Sequence, residues 1–281
     1  MSLNAVQFLS ELQGDLASRT LELEGFPASV VRLLRELRDP LISTKTLTAV
    51  VSSDAVLASR LLGMSNAVAH HSSGVVSDVG GAIARVGQAT LRTVALAHAF
   101  STLRDQKAYQ PVQQRIGEVW ARGLALAGVT QVVAAHAQLR GIDRETLTLG
   151  AMLSGVGKIH LLAAMAPHEE VLADFVAVEH LLRTWHLKVA RVLLEQWEFP
   201  AATIQAATDW QATRPPTNPT PLFDVVRLSS MLVELGNSRE EFARCLIDAA
   251  PASRLGLSRI DPDVLFTAAQ SAASSFRGAL A

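Results

Sequence analysis

Apolar residues recur at helical spacing along nearly the whole chain. Val30, Leu33, Leu34 and Leu37 mark one face of a short helix. Asp39-Pro40 ends it, because the residue before proline avoids the α region. Asp54 is placed to cap a helix carrying Leu57, Leu61 and Met64. Ser77 or Asp78 is placed to cap the next, which carries Ala82, Ile83 and Val86. Gly87 stops that helix in the manner of a glycine just past a helix end. Leu91, Val94, Ala95 and His98 then form a stripe that reads as core.

Residues 105–111 are polar and read as a connection. A second helical set begins near Val112. It includes a long Ala-rich helix over Val119–Leu139 closed by Gly141, and another from Arg144 through Leu153. Leu187, Ala190, Leu194 and Trp197 mark an amphipathic helix ended by Phe199-Pro200, with His186 at its N-terminal end. The segment Pro215–Pro221 holds four of the eleven prolines and reads as an extended loop. Two or three helices follow from Asp224, and the Ala-rich tail is expected to fray. No strand and no fixed-period repeat is predicted, so the expected class is all-α.

Composition narrows the function classes. A chain of 281 residues can bury a full core without staples. The net charge of −1 and pI near 6.7 offer no basic excess for phosphates, which disfavours nucleic-acid binding. The helix pair around Gly87 faintly resembles a helix-turn-helix, but Arg85 and Arg92 are too few to track a phosphate backbone. The single cysteine, Cys245, can form no internal disulfide and anchors no Cys-rich zinc site. The N-terminus lacks the basic-then-apolar pattern of a signal peptide. No run reaches the roughly 18 uncharged apolar residues of a membrane span. The expectation is a cytoplasmic protein with no membrane partner.

Candidate chemistry is sparse. His70-His71 are adjacent and would point apart on a helix. His98 and His136 fall on apolar stripes, and His160, His168 and His180 lack a ligand partner one turn away. Glu169-Glu170 reads as a solvated face. No G-x-S-x-G, P-loop or G-x-G-x-x-G run is present. One segment is more specific: Gly150-Ala-Met-Leu-Ser-Gly-Val-Gly-Lys-Ile-His160. Its Gly157-Lys158 end resembles the L-H-D-I-G-K signature of the HD superfamily. There a His-Asp pair binds a divalent metal, whose bound water becomes the nucleophile on phosphorus. Here the pair is Ser154-Gly155, and neither side chain can serve as an imidazole or anionic ligand.

The resemblance extends from about Phe26 to Trp210. Phe26-Pro27, Asp39-Pro40, Val51-x-x-Asp54, Leu57, Arg60-Leu61, Asn66-Ala67, Val76-Ser77 and Ala82-Ile83-x-x-Val86-Gly87 run in order. Trp120, Ser154–Lys158, Glu179, His186 and Leu193-Leu194-Glu195-Gln196-Trp197-Glu198-Phe199-Pro200 follow. The series resembles the HDOD family, non-catalytic relatives of HD-GYP domains in bacterial signalling proteins. That resemblance implies a two-lobed helical fold. Residues 1–110 would form the N-terminal lobe and 111–214 a degenerate HD-like lobe, with the C-terminal helices of 222–281 packed on the latter.

The departures from the family pattern bear on function. The usual Trp-x-His-Ser reads Trp120-Ala-Arg122-Gly123. Paired histidines after the Leu-Pro element fall at Trp210-Gln211, and the late aspartate of HD enzymes falls near Ser230. Only His186 survives as a ligand. The expectation is therefore no metal, no cofactor and no catalysis. The vestigial cleft, built from Arg122, Ser154, Gly155, Lys158 and His186, would instead serve a signalling protein partner or a small anion. Exposed Leu/Ala-rich helices offer a route to a homodimer. The competing reading is a metal-dependent phosphohydrolase of nucleotides or cyclic dinucleotides with a rebuilt site, using Asp209, Asp224, His160 or Glu179 as replacement donors.

Overall fold

The computed structural model describes residues 3–280, apart from 22, 24, 40, 68–74, 138–142 and 212–215. His70-His71, Pro40, Leu139, Gly141 and Pro215 lie outside the described residues. The described residues form fifteen α-helices and three short 3-10 turns, with no strand among them. The all-α class follows. Two compact units are present, one of residues 23–110 and one built from 111–278 together with the first helix. That helix, α1 (Leu3–Ser18), therefore groups with later residues and not with the first 110.

The unit of residues 23–110 contains α2 (Ala28–Glu36), α3 (Thr44–Ser52), α4 (Ala55–Ala67) and α5 (Val79–Arg104). The predicted face Val30, Leu33, Leu34 and Leu37 is buried. Asp78, not Ser77, caps α5 by accepting from Gly81 N–H. Asn66 holds the chain after α4, donating to Val76 O at 3.0 Å and accepting from Val76 N–H at 2.9 Å. Gly87 interrupts α5 at φ 79°, ψ 170°, after which the helix resumes. Essentially only glycine adopts that backbone conformation. No atom lies within 4 Å of a Cβ built there, so the dihedral and not crowding demands glycine.

Asp54 does more than cap. One carboxylate oxygen accepts from Leu57 N–H at 3.0 Å, and the other lies 2.9 Å from His98 Nε2 and 2.7 Å from Ser29 Oγ. One side chain thus pins α2, α4 and α5 together. The His98 and Asp54 side chains are 6% and 16% exposed, so solvent screens the pair little.

In the larger unit, α6 (Gln113–His136), α7 (Arg144–Leu153), α8 (Val156–Met165), α9 (Glu169–Ala173), α10 (Phe175–Gln196) and α11 (Ala201–Thr208) precede the proline-rich segment. After it come α12 (Pro221–Glu234), α13 (Arg239–Asp248), α14 (Ala250–Arg254) and α15 (Pro262–Leu280). α6 packs on α7 and α12, α10 on α8, and α11 on α7, while α1 rests on α9 and α10. Several expectations need correction. The polar connection forms a 3-10 turn over Lys107–Val112. α10 starts at Phe175 because Asp174 caps it at Ala177 N–H, which puts His186 in mid-helix. Thr220 caps α12 with Pro221 in its first turn, so the proline-rich segment ends by starting a helix. Four helices follow, and the last spans Pro262–Leu280. The run Arg144–Met165 is long and apolar enough to cross a membrane by composition, but 78% of its most apolar window is buried inside the protein.

The Asp54 network carries a testable consequence. Burial raises the carboxyl's pKa, but bonds from Leu57 N–H, Ser29 and His98 outweigh it and hold the group below its ordinary 3.8. A carboxyl depressed on folding stabilises the native state above its unfolded pKa, and the benefit fades as pH falls through the folded value. Asp54→Asn is expected to lose about 2–3 kcal/mol between pH 5 and 7, from charge-assisted bonds and a weakened cap. Denaturant titration should find that deficit constant over that range and shrinking below about pH 4.

Candidate functional site

Gly157 sits where α8 meets α10. A Cβ at this position would lie 1.9 Å from the carbonyl oxygen of His186 and 2.8 Å from Ala190 N. The Gly-Lys pair therefore has a mechanical meaning. Glycine lets two helix backbones touch, and the next residue, Lys158, is carried to the edge of that contact, half-buried.

The residues expected from the family pattern at the cleft form two groups, each linked by hydrogen bonds. In the first, His186 Nε2 lies 3.2 Å from Gln211 Oε1. The Gln211 amide nitrogen donates to Ser154 O at 3.1 Å and to Ala207 O at 2.9 Å. Two carbonyl acceptors fix which end of the amide is nitrogen, so its oxygen faces the imidazole. His186 Nε2 must then carry a hydrogen. It is a donor and has no lone pair to give a metal on that side. Burial, and then the charge of Lys158, pushes the His186 pKa down, so the ring is neutral at pH 7.

In the second group, Arg122 on α6 donates to Glu234 Oε1 at 2.5 Å and, more weakly, to Ser230 Oγ at 3.4 Å. Arg122 on α6 and Ser230 on α12, both singled out by the sequence comparison with the family pattern, thus meet here. Lys158 lies between the two groups. Its pKa is lowered by burial and by Arg122, against the opposing pull of Glu179 and Glu234. It makes no direct hydrogen bond or ion pair among the described residues. Glu179 is engaged by Arg115.

Gly155 stands where the metal-binding aspartate of HD enzymes would be. A Cβ there would be 2.5 Å from Val119 Cγ1, so the space has closed over with α6. Ser154 contributes its backbone carbonyl, through Gln211. The structure thus joins Ser154 to His186 and sets Lys158 in the field of Arg122 and beside His186. No hydrogen bond joins Gly155 to any of these side chains among the described residues.

The proposed replacement donors do not assemble. Asp224 is buried and held by Nε and Nη2 of Arg254, at 2.7 and 2.6 Å. Asp209 pairs with Arg191 at 2.7 Å. His160 is buried, and burial pushes its pKa down to about 4. No group of three or more His, Cys, Asp or Glu side chains able to hold a metal exists among the described residues. The residues present do not fit the divalent metal of HD enzymes: the His186 Nε2 is committed as a donor, and the Lys158 cation acts on the same ring.

Sequence reasoning noted Gln211 only as a lost histidine and did not find Glu234. Gln211 carried a signal, because an amide replacing a ligand can still hydrogen-bond its former co-ligand. Glu234 carried none, being 112 residues from Arg122.

Helix packing at Gly157 thus brings Lys158 and His186 into one region of the larger unit. The chain matches the HDOD domain over residues 23–212 and belongs to that family, which is related to HD phosphohydrolases. Among solved structures, one from Shewanella amazonensis SB2B, named "Putative metal-dependent phosphohydrolase", is 18% identical with a TM-score of 0.74, and covers 100% of both chains. An HDOD domain protein of unknown function from Geobacter sulfurreducens is 15% identical with a TM-score of 0.61, covering 96% of this chain and 98% of that one. A "Putative signal transduction protein" from Marinobacter aquaeolei VT8 is 18% identical with a TM-score of 0.64, covering 99% of this chain and 66% of that one. At these identities the likeness is one of fold. No curated protein matches the chain.

The Gly157 contact is the most exposed to test. Gly157→Ala forces backbone against backbone, which no rotamer change relieves. It is expected to cost about 3 kcal/mol or more, above ordinary overpacking. Thermal and denaturant unfolding check this, and a loss under about 1 kcal/mol would mean the helices are not in contact there.

Proposed function

We propose that this protein is a non-enzymatic regulatory module of bacterial signal transduction, whose vestigial HD cleft serves recognition in place of catalysis. The observation that carries the reading is the Gln211 amide, anchored by two carbonyls and holding His186 Nε2 as a donor. Closure of the Gly155 position by Val119 and the pairing of Arg122 with Glu234 support it further. Family membership and the name of the Marinobacter aquaeolei neighbour supply the signalling context. The recognised partner is a protein of the pathway. Lys158, unpaired among the described residues, with Arg122 beyond it paired to Glu234, gives the cleft a cationic edge suited to an acidic side chain or a small anion.

The competing reading, a metal-dependent phosphohydrolase, is tested on the same preparation. Protein loaded with Mn²⁺, Fe²⁺ or Zn²⁺ and then desalted is expected to keep well below one equivalent of metal. It should also turn over no nucleotide or cyclic dinucleotide. Stoichiometric metal or measurable hydrolysis, abolished by His186→Ala, would replace this reading. On the positive side, Arg122→Glu is expected to lose partners that the native protein captures from its host. Identical capture by both would remove the cleft from recognition.

A further inference from the structure

A groove of about 520 Å³ runs between the C-terminal turn of α12 and one face of α13. Met231 and Leu235 from α12, with Cys245 and Ala249 at the end of α13, give it an apolar floor. The floor residues on α12 recur at i and i+4, the spacing that accepts anchors of an incoming helix.

Charge decides which helix fits. Glu234, Glu241, Asp248 and Arg244 line the edges. Glu234 is taken by Arg122, and Arg244 is paired at 2.8 Å with Glu240, which does not line the groove. That leaves the Glu241 and Asp248 carboxylates without an ion pair among the described residues. The C-terminal end of α12, with its partial negative charge, closes the same groove. An apolar floor between two uncompensated carboxylates is complementary to an amphipathic helix with Leu-like anchors and flanking Lys or Arg.

We infer that the α12–α13 groove is a docking site for a basic amphipathic helix of a partner protein. The groove adjoins the Arg122–His186 cleft through Glu234, which lines it and pairs with Arg122, but the inference rests on Glu241 and Asp248 and stands whether or not that cleft recognises anything. Acidic helices are rejected by Glu241 and Asp248. Uncharged apolar ones gain only the floor.

The single cysteine of the chain lies in this groove and reports on its occupancy. Burial and Asp248 raise the Cys245 pKa, so alkylation is slow at neutral pH and is best followed with excess reagent under mildly alkaline conditions. The probes are a synthetic Leu/Lys amphipathic helix and its Leu/Glu counterpart. At about ten times its Kd the Leu/Lys helix is expected to slow alkylation of the full chain about tenfold. The Leu/Glu helix should leave the rate unchanged. Glu241→Gln with Asp248→Asn should remove most of the protection, read as the ratio of rates with and without peptide because Asp248→Asn also changes the thiol itself. Glu169→Gln with Glu170→Gln, on the distant face at α9, should retain it. Circular dichroism of each variant establishes that it is folded. Equal protection by both peptides, protection by neither, or protection that survives the groove variant overturns the inference.

Discussion

The larger unit depends on one close approach, the contact of α8 with α10 at Gly157 and His186. With the carbonyl of His186 only 1.9 Å from where a Cβ would stand, the two helices meet backbone to backbone. This constraint fixes three things together. Lys158 follows the glycine and is held half-buried at the cleft edge. His186 is held in mid-helix with its ring toward Gln211. Ser154 and Gly155, at the junction of α7 and α8, are brought under the same cover. One backbone contact therefore sets the place of the residues that the family pattern singles out.

The replacements form a consistent set of interactions. The Arg122 guanidinium takes a carboxylate from α12. The Gln211 amide takes the His186 imidazole. A methyl group of Val119 closes over Gly155. Each change satisfies a polar group or fills space that a bound cation and its ligands would otherwise account for. Lys158 is the exception. It remains half-buried, lowered in pKa and unpaired among the described residues, and its unmet charge is what makes the cleft a candidate for recognition.

Helix class, the approximate course of most helices and the HD-like segment were all legible in the sequence, because periodicity and caps are local. Asp54 was readable as a cap from its position alone. Its grip on His98, 44 residues away, was not. The true start of α10 was hidden because Glu179-His180 and Arg183-Thr184 interrupt the apolar stripe, although Asp174 is an ordinary cap. The five cleft residues were legible as positions, through the family pattern. What they do now was not, since Ser154 acts through its carbonyl and Gly155 through its lack of a Cβ. Arg122 acts through residues supplied by α12, beyond the matched stretch.

The central claim is that His186 is held by Gln211 as a hydrogen-bond donor through Nε2, which leaves that nitrogen no lone pair for a metal. The direct measurement is the tautomer of His186, from ¹⁵N shifts and ring couplings of the neutral imidazole near pH 7. The account predicts the proton on Nε2, hydrogen-bonded to Gln211, with a spectrum unchanged by added Zn²⁺ or Mn²⁺. A proton on Nδ1 with Nε2 bare, or a His186 signal that shifts or broadens stoichiometrically on adding metal, would contradict it.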